Sequence, residues 1–174
     1  IMSRLKKIKV HIFLRKPYKF ENHSIEKLFY SIVKKKNDQF EFVLLKCPFY
    51  SKGFFRRFFN CIWALFKQGD INHVSGDINF ISIFLDKNKT INTFHDCYNL
   101  RHYTGLKKII FKLFWFYIPI KKSKYITTVS DFTKHELKIL LNTNKEIKVI
   151  DCFLTENNYK KIKIENKNCA LVIG

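Results

Sequence analysis

A histidine and an aspartate, His95 and Asp96, directly follow the apolar–polar alternation of residues 90–94. Because such alternation is typical of a strand, both side chains are expected where a strand ends. Two interpretations are open. The pair belongs to a turn whose side chains hydrogen-bond their own backbone, or it lines a ligand pocket at the carboxyl edge of a parallel sheet. In such a pocket His95 would donate to a sugar hydroxyl or a phosphate oxygen, while Asp96 fixes its tautomer or orders the loop.

A second candidate follows the apolar run 71–74, where the chain reads Ser75-Gly76-Asp77. The simplest interpretation is an ordinary tight turn. The alternative is a ligand-binding turn, in which Gly76 lets the backbone approach a ligand closely and Asp77 contacts it.

A third candidate lies where the run 126–129 meets a predicted helix. Either Ser130 or Asp131 can cap that helix, and Thr133 with Glu136 fits a capping box one turn later. These roles explain the polar residues without any function. The amino end of a helix is also an anion-binding site, so a functional interpretation stays open.

Several other chemistries leave no trace in the sequence. There is no GxGxxG, no phosphate-binding P-loop, no GxSxG and no metal-binding cluster of histidines and acids. We therefore expect no metal and no bound cofactor. The cysteines are odd in number, widely spaced and without a CxxC pair, which argues against a disulfide framework and for a reducing compartment. They are Cys47, Cys61, Cys97, Cys152 and Cys169.

The composition fits one globular domain with an extreme positive charge. The chain has 174 residues, of which 47% are hydrophobic and 17% aromatic, and its formal net charge is +19. Such a charge favours polyanions, namely nucleic acid, an anionic bilayer or phosphorylated ligands, although a solvated lysine-rich surface would give the same total. No nucleic-acid recognition module is present, and the lysines are scattered over every element, so no nucleic-acid partner is expected.

The hydrophobic pattern predicts alternating strands and helices, which is the signature of a parallel α/β sheet with right-handed crossovers. The predicted strands are 8–14, 40–45, 71–74, 90–94, 125–129 and 147–150. The predicted helices are 24–35, 54–67, 105–117 stopped by Pro119, and 131–141, with a helical turn at 78–85. The longest uncharged apolar run, 113–120, is far shorter than the roughly 20 residues of a membrane span.

The pattern divides the chain into three parts. Residues 1–154 form the α/β domain, the polar stretch 155–168 is a linker, and 169–174 read as the first strand of a second Rossmann-like unit. A buried strand without a partner is a strange terminus, and Ile1 precedes Met2. We therefore expect the chain to be a piece of a longer protein.

Two predicted helices combine basic and aromatic residues. In 51–67 a narrow polar stripe, formed by Arg56, Asn60 and Lys67, runs beside Arg57, and the rest is almost wholly apolar. For this helix the surface of an anionic bilayer and an ordinary buried crossover are equally good interpretations. Lysines also stand at both ends of the aromatic segment 105–124. There the pattern favours a helix buried on two sides whose lysines reach outward. If it meets a membrane instead, Lys107 and Lys108 are the contacts.

Taken in order, these segments resemble the N-terminal domain of glycosyltransferase family 4. The best part of the resemblance is residues 70–150. The segments that carry it are HVSGD at 73–77, TFHD at 93–96, a basic-aromatic helix ending at Pro119, ITTVSDFTKHEL at 126–137 and IKVI at 147–150. The stretch VSDFTKHEL is fairly specific, whereas the His-Asp pair alone is not.

The resemblance implies a retaining sugar transferase of the GT-B fold, with two facing Rossmann-like domains. The N-terminal domain would hold most of the acceptor site, and the C-terminal one would bind the nucleotide-sugar. His95 would lie near the transferred sugar as the catalytic residue, and the substrate-binding residues would be Gly76, Asp77, Asp96, Ser130 and Thr133. No metal is implied.

The implied protein is a cytoplasmic enzyme, or one peripheral on the inner face of the cytoplasmic membrane. It would move a sugar from a nucleotide-sugar to a glycan or lipid-linked acceptor of the cell-envelope polysaccharide type, and this chain alone would be inactive. The alternatives are a basic nucleic-acid-binding domain and a non-catalytic interaction domain.

Two departures from the family pattern bear on the donor. Many members have glycines after the first strand, near the donor phosphates, whereas the loop 16–24 has none. The sixth strand usually runs into an Asn-rich hinge, but here residues 151–154 read DCFL.

Overall fold

The six predicted strands form one parallel sheet, so the predicted α/β, Rossmann-like fold is confirmed. The computed structural model describes residues 6–18, 24–34 and 37–152. The strand order is β2-β1-β3-β4-β5-β6, and every neighbouring pair runs parallel. The strands are β1 (Ile8–Leu14), β2 (Phe40–Lys46), β3 (Ile71–Ser75), β4 (Thr90–Phe94), β5 (Tyr125–Thr128) and β6 (Ile147–Val149).

Helices connect the strands where apolar residues recur every three to four positions instead of every second position. The α-helices are α1 (Ser24–Lys34), α2 (Phe54–Leu65), α3 (Tyr98–His102), α4 (Gly105–Phe111), α5 (Ile118–Lys121) and α6 (Asp131–Leu141). Two 3-10 segments, Asn79–Phe84 and Lys87–Lys89, follow β3. The first agrees with the helical turn predicted at 78–85. The short helix α3 was not predicted, because a single turn carries too little periodicity to be recognised.

The prediction that Pro119 stops the fourth predicted helix is wrong. A π-helical segment, Lys112–Tyr117, follows α4 directly, and α5 continues after it to Lys121. Pro119 lies in the first turn of α5 and is buried. Proline is tolerated in a first turn because the N–H that it lacks would have no partner there. The π segment resets the hydrogen-bond pattern, and so a new first turn occurs within one continuous helix.

The sheet is covered very differently on its two faces. Alternation along β1 sends Val10, Ile12 and Leu14 to one face, where they pack against Phe29 of α1. Phe13 points to the other face and packs beneath α2 and the 3-10 segment Asn79–Phe84.

That second face continues over β4, β5 and β6. There Phe94 and Ile126 pack under the long helix that contains Phe116, and under Leu137 of α6. The helical layer on this side therefore spans the sheet, whereas α1 packs over β1 and its neighbours only.

The polar stripe predicted on α2 is wrong at Asn60, which is fully buried. Its Oδ1 accepts from the N–H of Phe49 (3.1 Å), and its Nδ2 donates to the carbonyl of the same residue (2.9 Å). This side chain therefore satisfies both backbone polar groups of Phe49, in the loop before α2. α2 also ends at Leu65, two residues before the predicted end.

In the described part of the chain no helix has the length and apolarity needed to cross a bilayer. The predicted linker 155–168 and the predicted strand start at 169–174 lie outside the described residues.

Candidate functional site

The carboxyl ends of β1, β3, β4 and β5 meet at one edge of the sheet. β1 lies between β2 and β3, so the chain reverses the direction in which it adds strands at the β1–β3 boundary. Ligands of open α/β sheets bind at such a switch point. Arg15, Gly76 and His95 directly follow β1, β3 and β4 at this edge, and Ser130 lies two residues after β5.

His95 is fixed from two sides. Its Nε2 lies 3.0 Å from the Oγ of Ser75, the last residue of β3. Its backbone carbonyl accepts a hydrogen bond of 3.1 Å from the hydroxyl of Thr133 in α6. The imidazole is therefore tied to β3 and its backbone to α6, which gives the side chain a defined position at the edge of the sheet.

Burial makes His95 a neutral imidazole at pH 7. Desolvation lowers its pKa to about 4, although the nearby carboxylates of Asp96 and Glu26 act in the opposite direction. A neutral imidazole offers one N–H donor and one nitrogen acceptor. Among the residues that the structure describes, Nδ1 of His95 has no hydrogen-bond partner, so this atom can still bind a ligand.

Asp96 orders the loop, as predicted, and does not hydrogen-bond the imidazole. The side chain is exposed, and its Oδ1 accepts from the N–H of Tyr98 (2.9 Å), two residues further on. This is the Asx-turn geometry that short acidic side chains favour, and it leads the chain into α3.

Gly76 forms a turn, and its need for glycine is conformational. Its φ is +84°, in the left-handed region that side chains disfavour. Among the described residues a Cβ at this position would meet only Ile25, at an ordinary 4.0 Å, so a close approach to a described group does not explain the glycine. Asp77 follows on the surface, and its carbonyl accepts from the indole N–H of Trp115 (3.2 Å).

Ser130 is the N-cap of α6: its Oγ accepts from the N–H of Thr133 (3.2 Å). Asp131 is exposed and is the first residue of the helix, so it is not the cap. The predicted capping box of Thr133 and Glu136 is wrong. The Thr133 hydroxyl is buried against the His95 carbonyl, and Glu136 pairs with Arg101 at 3.4 Å.

A charged cluster at the switch point was missed by the sequence analysis. Arg15 donates from Nε to Glu26 of α1 (3.0 Å) and from Nη1 to Asp77 (3.1 Å). Glu26 is only 4% exposed, and its second carboxylate oxygen, Oε2, has no hydrogen-bond partner among the described residues. A buried carboxylate oxygen without a donor is costly unless a ligand or water reaches it. The sequence signal was an acidic residue inside the apolar pattern of α1.

A row of polar side chains crosses the sheet beneath His95 and was also missed. Nε2 of His73 lies 2.7 Å from the hydroxyl of Thr93, which lies 2.7 Å from that of Thr127. Desolvation, together with the neighbouring His95, lowers the pKa of His73 to about 4. The available signal was a polar residue, His73, Thr93 or Thr127, inside each of three strands, at positions whose side chains share one face of the sheet.

This polar row forms the floor of an open groove of about 700 Å³ on the face that α1 covers only in part. Phe29 of α1 stands on one side and Tyr125 on the other, with Lys124 and Lys148 at the rim. Its volume falls within the range of small-ligand sites. The groove combines hydroxyls and imidazoles with apolar and aromatic walls, which can bind a polar ligand that also has apolar surfaces.

Only some of the predicted site residues share a cavity. His95, Asp96, Gly76 and Asp77 line a second space of about 20 Å³, which has room for no more than a water. His95 also lines the large groove, whereas Ser130 and Thr133 line neither. Thr133, in α6, therefore positions the His95 backbone, while Gly76, Asp77 and Asp96 lie in the turns that follow β3 and β4.

Residues 6–18, 24–34 and 37–152 contain no group of three or more His, Cys, Asp or Glu side chains that could hold a metal ion. Four cysteines are described, and all are free thiols. Burial raises the pKa of Cys47, Cys61 and Cys97 to about 12, so these three are inert at neutral pH.

The predicted membrane-contact residues fall on two adjacent helices and the turn after one of them. Arg56 and Lys67 are exposed at α2, and Lys107 is exposed on α4, where Lys108 is half-buried. Arg57 is half-buried instead: its guanidinium stacks on the Trp115 ring, 4.5 Å from the centroid, and donates to the Ser51 carbonyl (3.1 Å). Desolvation lowers the pKa of Arg57.

No protein-family model matches the chain, and no curated protein matches it.

Proposed function

We propose that the chain is the acceptor-side, N-terminal part of a retaining glycosyltransferase of the GT-B type. It would take a sugar from a nucleotide-sugar to a glycan or lipid-linked acceptor. The observation that carries the proposal is the position of His95, held by Ser75 and Thr133 at the carboxyl edge of the sheet and open to a 700 Å³ groove.

His95 suits a sugar because its imidazole is neutral and only one of its two ring nitrogens is hydrogen-bonded within the described part of the protein. Burial holds its pKa at about 4, so at pH 7 the imidazole hydrogen-bonds without adding a charge. Ser75 engages Nε2, which leaves Nδ1 to meet a hydroxyl of the ligand. A hydrogen bond that strengthens as the glycosidic bond breaks lowers the barrier by roughly 2.7–4 kcal/mol, by analogy with other positioned donors.

The groove supplies what a saccharide requires besides a single histidine. Its floor carries the hydroxyls of Thr93 and Thr127 together with His73, and its walls include Phe29 and Tyr125. Hydroxyl and imidazole groups match the polar edges of a sugar ring, while aromatic and aliphatic side chains match its apolar faces. The proposal thus assigns the acceptor to this groove.

The nucleotide belongs to a second domain in this proposal. The chain has no glycine-rich phosphate cradle, and the edge offers Arg15 already paired with Glu26 and Asp77. We therefore expect the 174-residue chain to bind nucleotide-sugars weakly or not at all and to transfer no sugar alone. Holding the donor can supply roughly 7–11 kcal/mol of the barrier, which this chain would lack.

Binding measurements on the chain test this division. In an NMR titration with simple mono- and disaccharides, the imidazole resonances of His95 should shift, whereas those of the exposed His135 should not. Calorimetry with UDP-glucose and GDP-mannose should give no tight binding. Tight binding of either nucleotide-sugar would place the donor site on this half. If no saccharide shifts the His95 resonances, the assignment of the acceptor to this groove is contradicted.

A further inference from the structure

The outer face of α2 carries a cluster of exposed phenylalanines. Phe54 is 75% exposed, Phe55 and Phe59 are more than half exposed, and Phe66, just after the helix, is 78% exposed. Several of these rings contact one another: the centroids of Phe54 and Phe55 lie 5.7 Å apart, and those of Phe54 and Phe58 lie 6.4 Å apart. A contiguous apolar patch of this kind marks a surface that meets a partner or a membrane.

The neighbouring helix exposes an aliphatic stripe. Leu106, Ile109, Ile110 and Leu113 follow helical spacing, and all four are exposed, Leu106 by 71%. The prediction that this helix is buried on two sides is therefore wrong for its first half. Its buried apolar residues lie further along, at Phe116 and Ile120.

The two helices form one continuous surface. Arg57 of α2 stacks on Trp115, and a groove of about 390 Å³ runs between Arg57 and the residues Leu106, Lys107 and Ile110. We call this area the two-helix surface. It comprises the exposed side chains of α2 with Phe66 and Lys67, those of α4 with Leu113, and the groove between the helices.

The charge of the two-helix surface has a single sign. Residues 50–69 contain four basic and no acidic residues, and residues 103–124 contain six basic and no acidic residues. Cations flank the apolar groups: Lys52 and Arg56 lie beside the phenylalanines, and Lys107 and Lys112 lie beside the aliphatic stripe. Apolar side chains surrounded by cations complement a layer that is apolar inside and anionic at its surface.

We propose that the two-helix surface docks the protein on an anionic phospholipid bilayer. The phenylalanines of α2 and the aliphatic stripe of α4 enter the acyl region, and Arg57 and Lys107 lie beside lipid phosphates in the groove. This inference does not rest on the proposed sugar transfer. Trp115 nevertheless links the two regions, because its indole N–H bonds to Asp77 at the carboxyl edge. Docking would bring that edge close to the membrane.

Vesicle binding by the 174-residue chain tests the proposal. The chain should sediment with vesicles of phosphatidylcholine mixed with phosphatidylglycerol and bind phosphatidylcholine vesicles at least about tenfold more weakly, because attraction by several cations is lost. Raising salt from about 0.1 M to about 1 M should release much of the protein, since the screening length falls from about 10 Å to about 3 Å.

Two variants separate insertion from simple charge attraction. The double substitution Phe54→Ser with Phe55→Ser should weaken vesicle binding on the order of tenfold or more, because two exposed rings no longer enter the acyl region. Arg56→Glu with Lys107→Glu should weaken it by a similar factor. The matched control is Phe132→Ser with Ile139→Ser, two comparably exposed apolar residues on α6, which should leave binding unchanged.

Three results would overturn the proposal. Equal binding to neutral and anionic vesicles would remove the role of the charge. Unchanged vesicle binding by the phenylalanine variant would show that Phe54 and Phe55 do not enter the bilayer as proposed. Sedimentation velocity that reveals a dimer in the wild-type chain and a monomer in the phenylalanine variant, without vesicle binding, would make the surface an interface between copies. Each variant must have the same circular dichroism spectrum as the wild type. An independent measure of insertion is Phe54→Trp, whose tryptophan fluorescence brominated lipid should quench.

Discussion

Trp115 contacts both the carboxyl edge of the sheet and the two-helix surface, and these two regions differ in how firmly their functional groups are held. At the edge, His95 is held by Ser75 and Thr133, and Arg15 by Glu26 and Asp77. On the two-helix surface the phenylalanines chiefly contact one another. The edge is therefore organised before any ligand arrives, whereas the surface still has most of its apolar area to bury.

This difference separates two kinds of recognition. A small polar ligand is recognised by donors and acceptors whose positions are already fixed, because ordering them on binding would weaken affinity. A bilayer needs no such precision and is recognised by exposed apolar area and charge. We therefore expect substitutions at the edge to change stability and ligand binding together, and substitutions on the two-helix surface to change membrane binding alone.

The largest expected contrast is between two phenylalanines. Phe94, which is 2% exposed and stacks on Phe116, ends β4 directly before His95. Phe94→Ala should lower the free energy of unfolding by about 3–5 kcal/mol, because it removes a buried ring and leaves a cavity. Phe54→Ala should change it by less than about 0.5 kcal/mol. Urea denaturation measures both values, and equal losses would erase the contrast.

A pH dependence of stability should come from the edge and its polar row. His73 and His95 have folded pKa values of about 4, below the ordinary 6.5. As the pH falls from about 6.5 to about 4, the unfolded chain takes up these protons and the folded chain does not, so stability present above 6.5 is lost. Each histidine should contribute on the order of 1–3 kcal/mol.

Denaturation at neutral pH and at about pH 4.5 measures this loss. Replacing His73 and His95 by asparagine should flatten the dependence on pH, provided that the double variant folds. If the double variant loses as much stability as the wild type on acidification, the edge histidines are not held neutral by burial.

Helix caps offer a smaller test of the same comparison. Ser130 caps α6 with its side chain, whereas Thr104, the N-cap of α4 beside the two-helix surface, makes no capping hydrogen bond with its side chain. Ser130→Ala should lower the free energy of unfolding by about 1 kcal/mol, and Thr104→Ala by a few tenths. Ser130→Ala should also shift the His95 NMR resonances, because α6 holds the His95 carbonyl through Thr133. No shift would mean that the cap does not support the site.

The smallest expected effect is that of the membrane variant on folding. Phe54→Ser with Phe55→Ser should leave the free energy of unfolding within about 0.5 kcal/mol of wild type, because both rings are already in solvent. Thermal denaturation without lipid checks this. A loss of several kcal/mol would show that the two rings stabilise the fold and are not simply exposed apolar area available for binding.

The strands were predictable because local pattern determines them. β1 and β4 begin and end where the alternation of apolar residues does, and α6 has its predicted bounds. In parallel strands buried on both faces, short apolar runs bounded by polar turns leave few alternatives. The position of His95 at a strand end followed from the same pattern.

The partners of these residues could not be read from the sequence, because they depend on which strands are neighbours. Ser75 meets His95 only because β3 lies beside β4, and His73, Thr93 and Thr127 form a row only in that strand order. Glu26 was overlooked because the sequence alone does not distinguish a buried acidic residue of a helix from an exposed one. The distinction needs the position of its partner, Arg15.

The most direct test of the sugar-transfer proposal is a transfer assay on the protein produced from its complete reading frame. Membranes or extracted glycans serve as acceptor, labelled nucleotide-sugars as donors, and His95→Ala is compared with His135→Ala. We expect His95→Ala to lose on the order of 100- to 1000-fold in turnover with an unchanged fold, because one positioned hydrogen bond is removed, while His135→Ala stays active. A folded His95→Ala protein with wild-type turnover would contradict it.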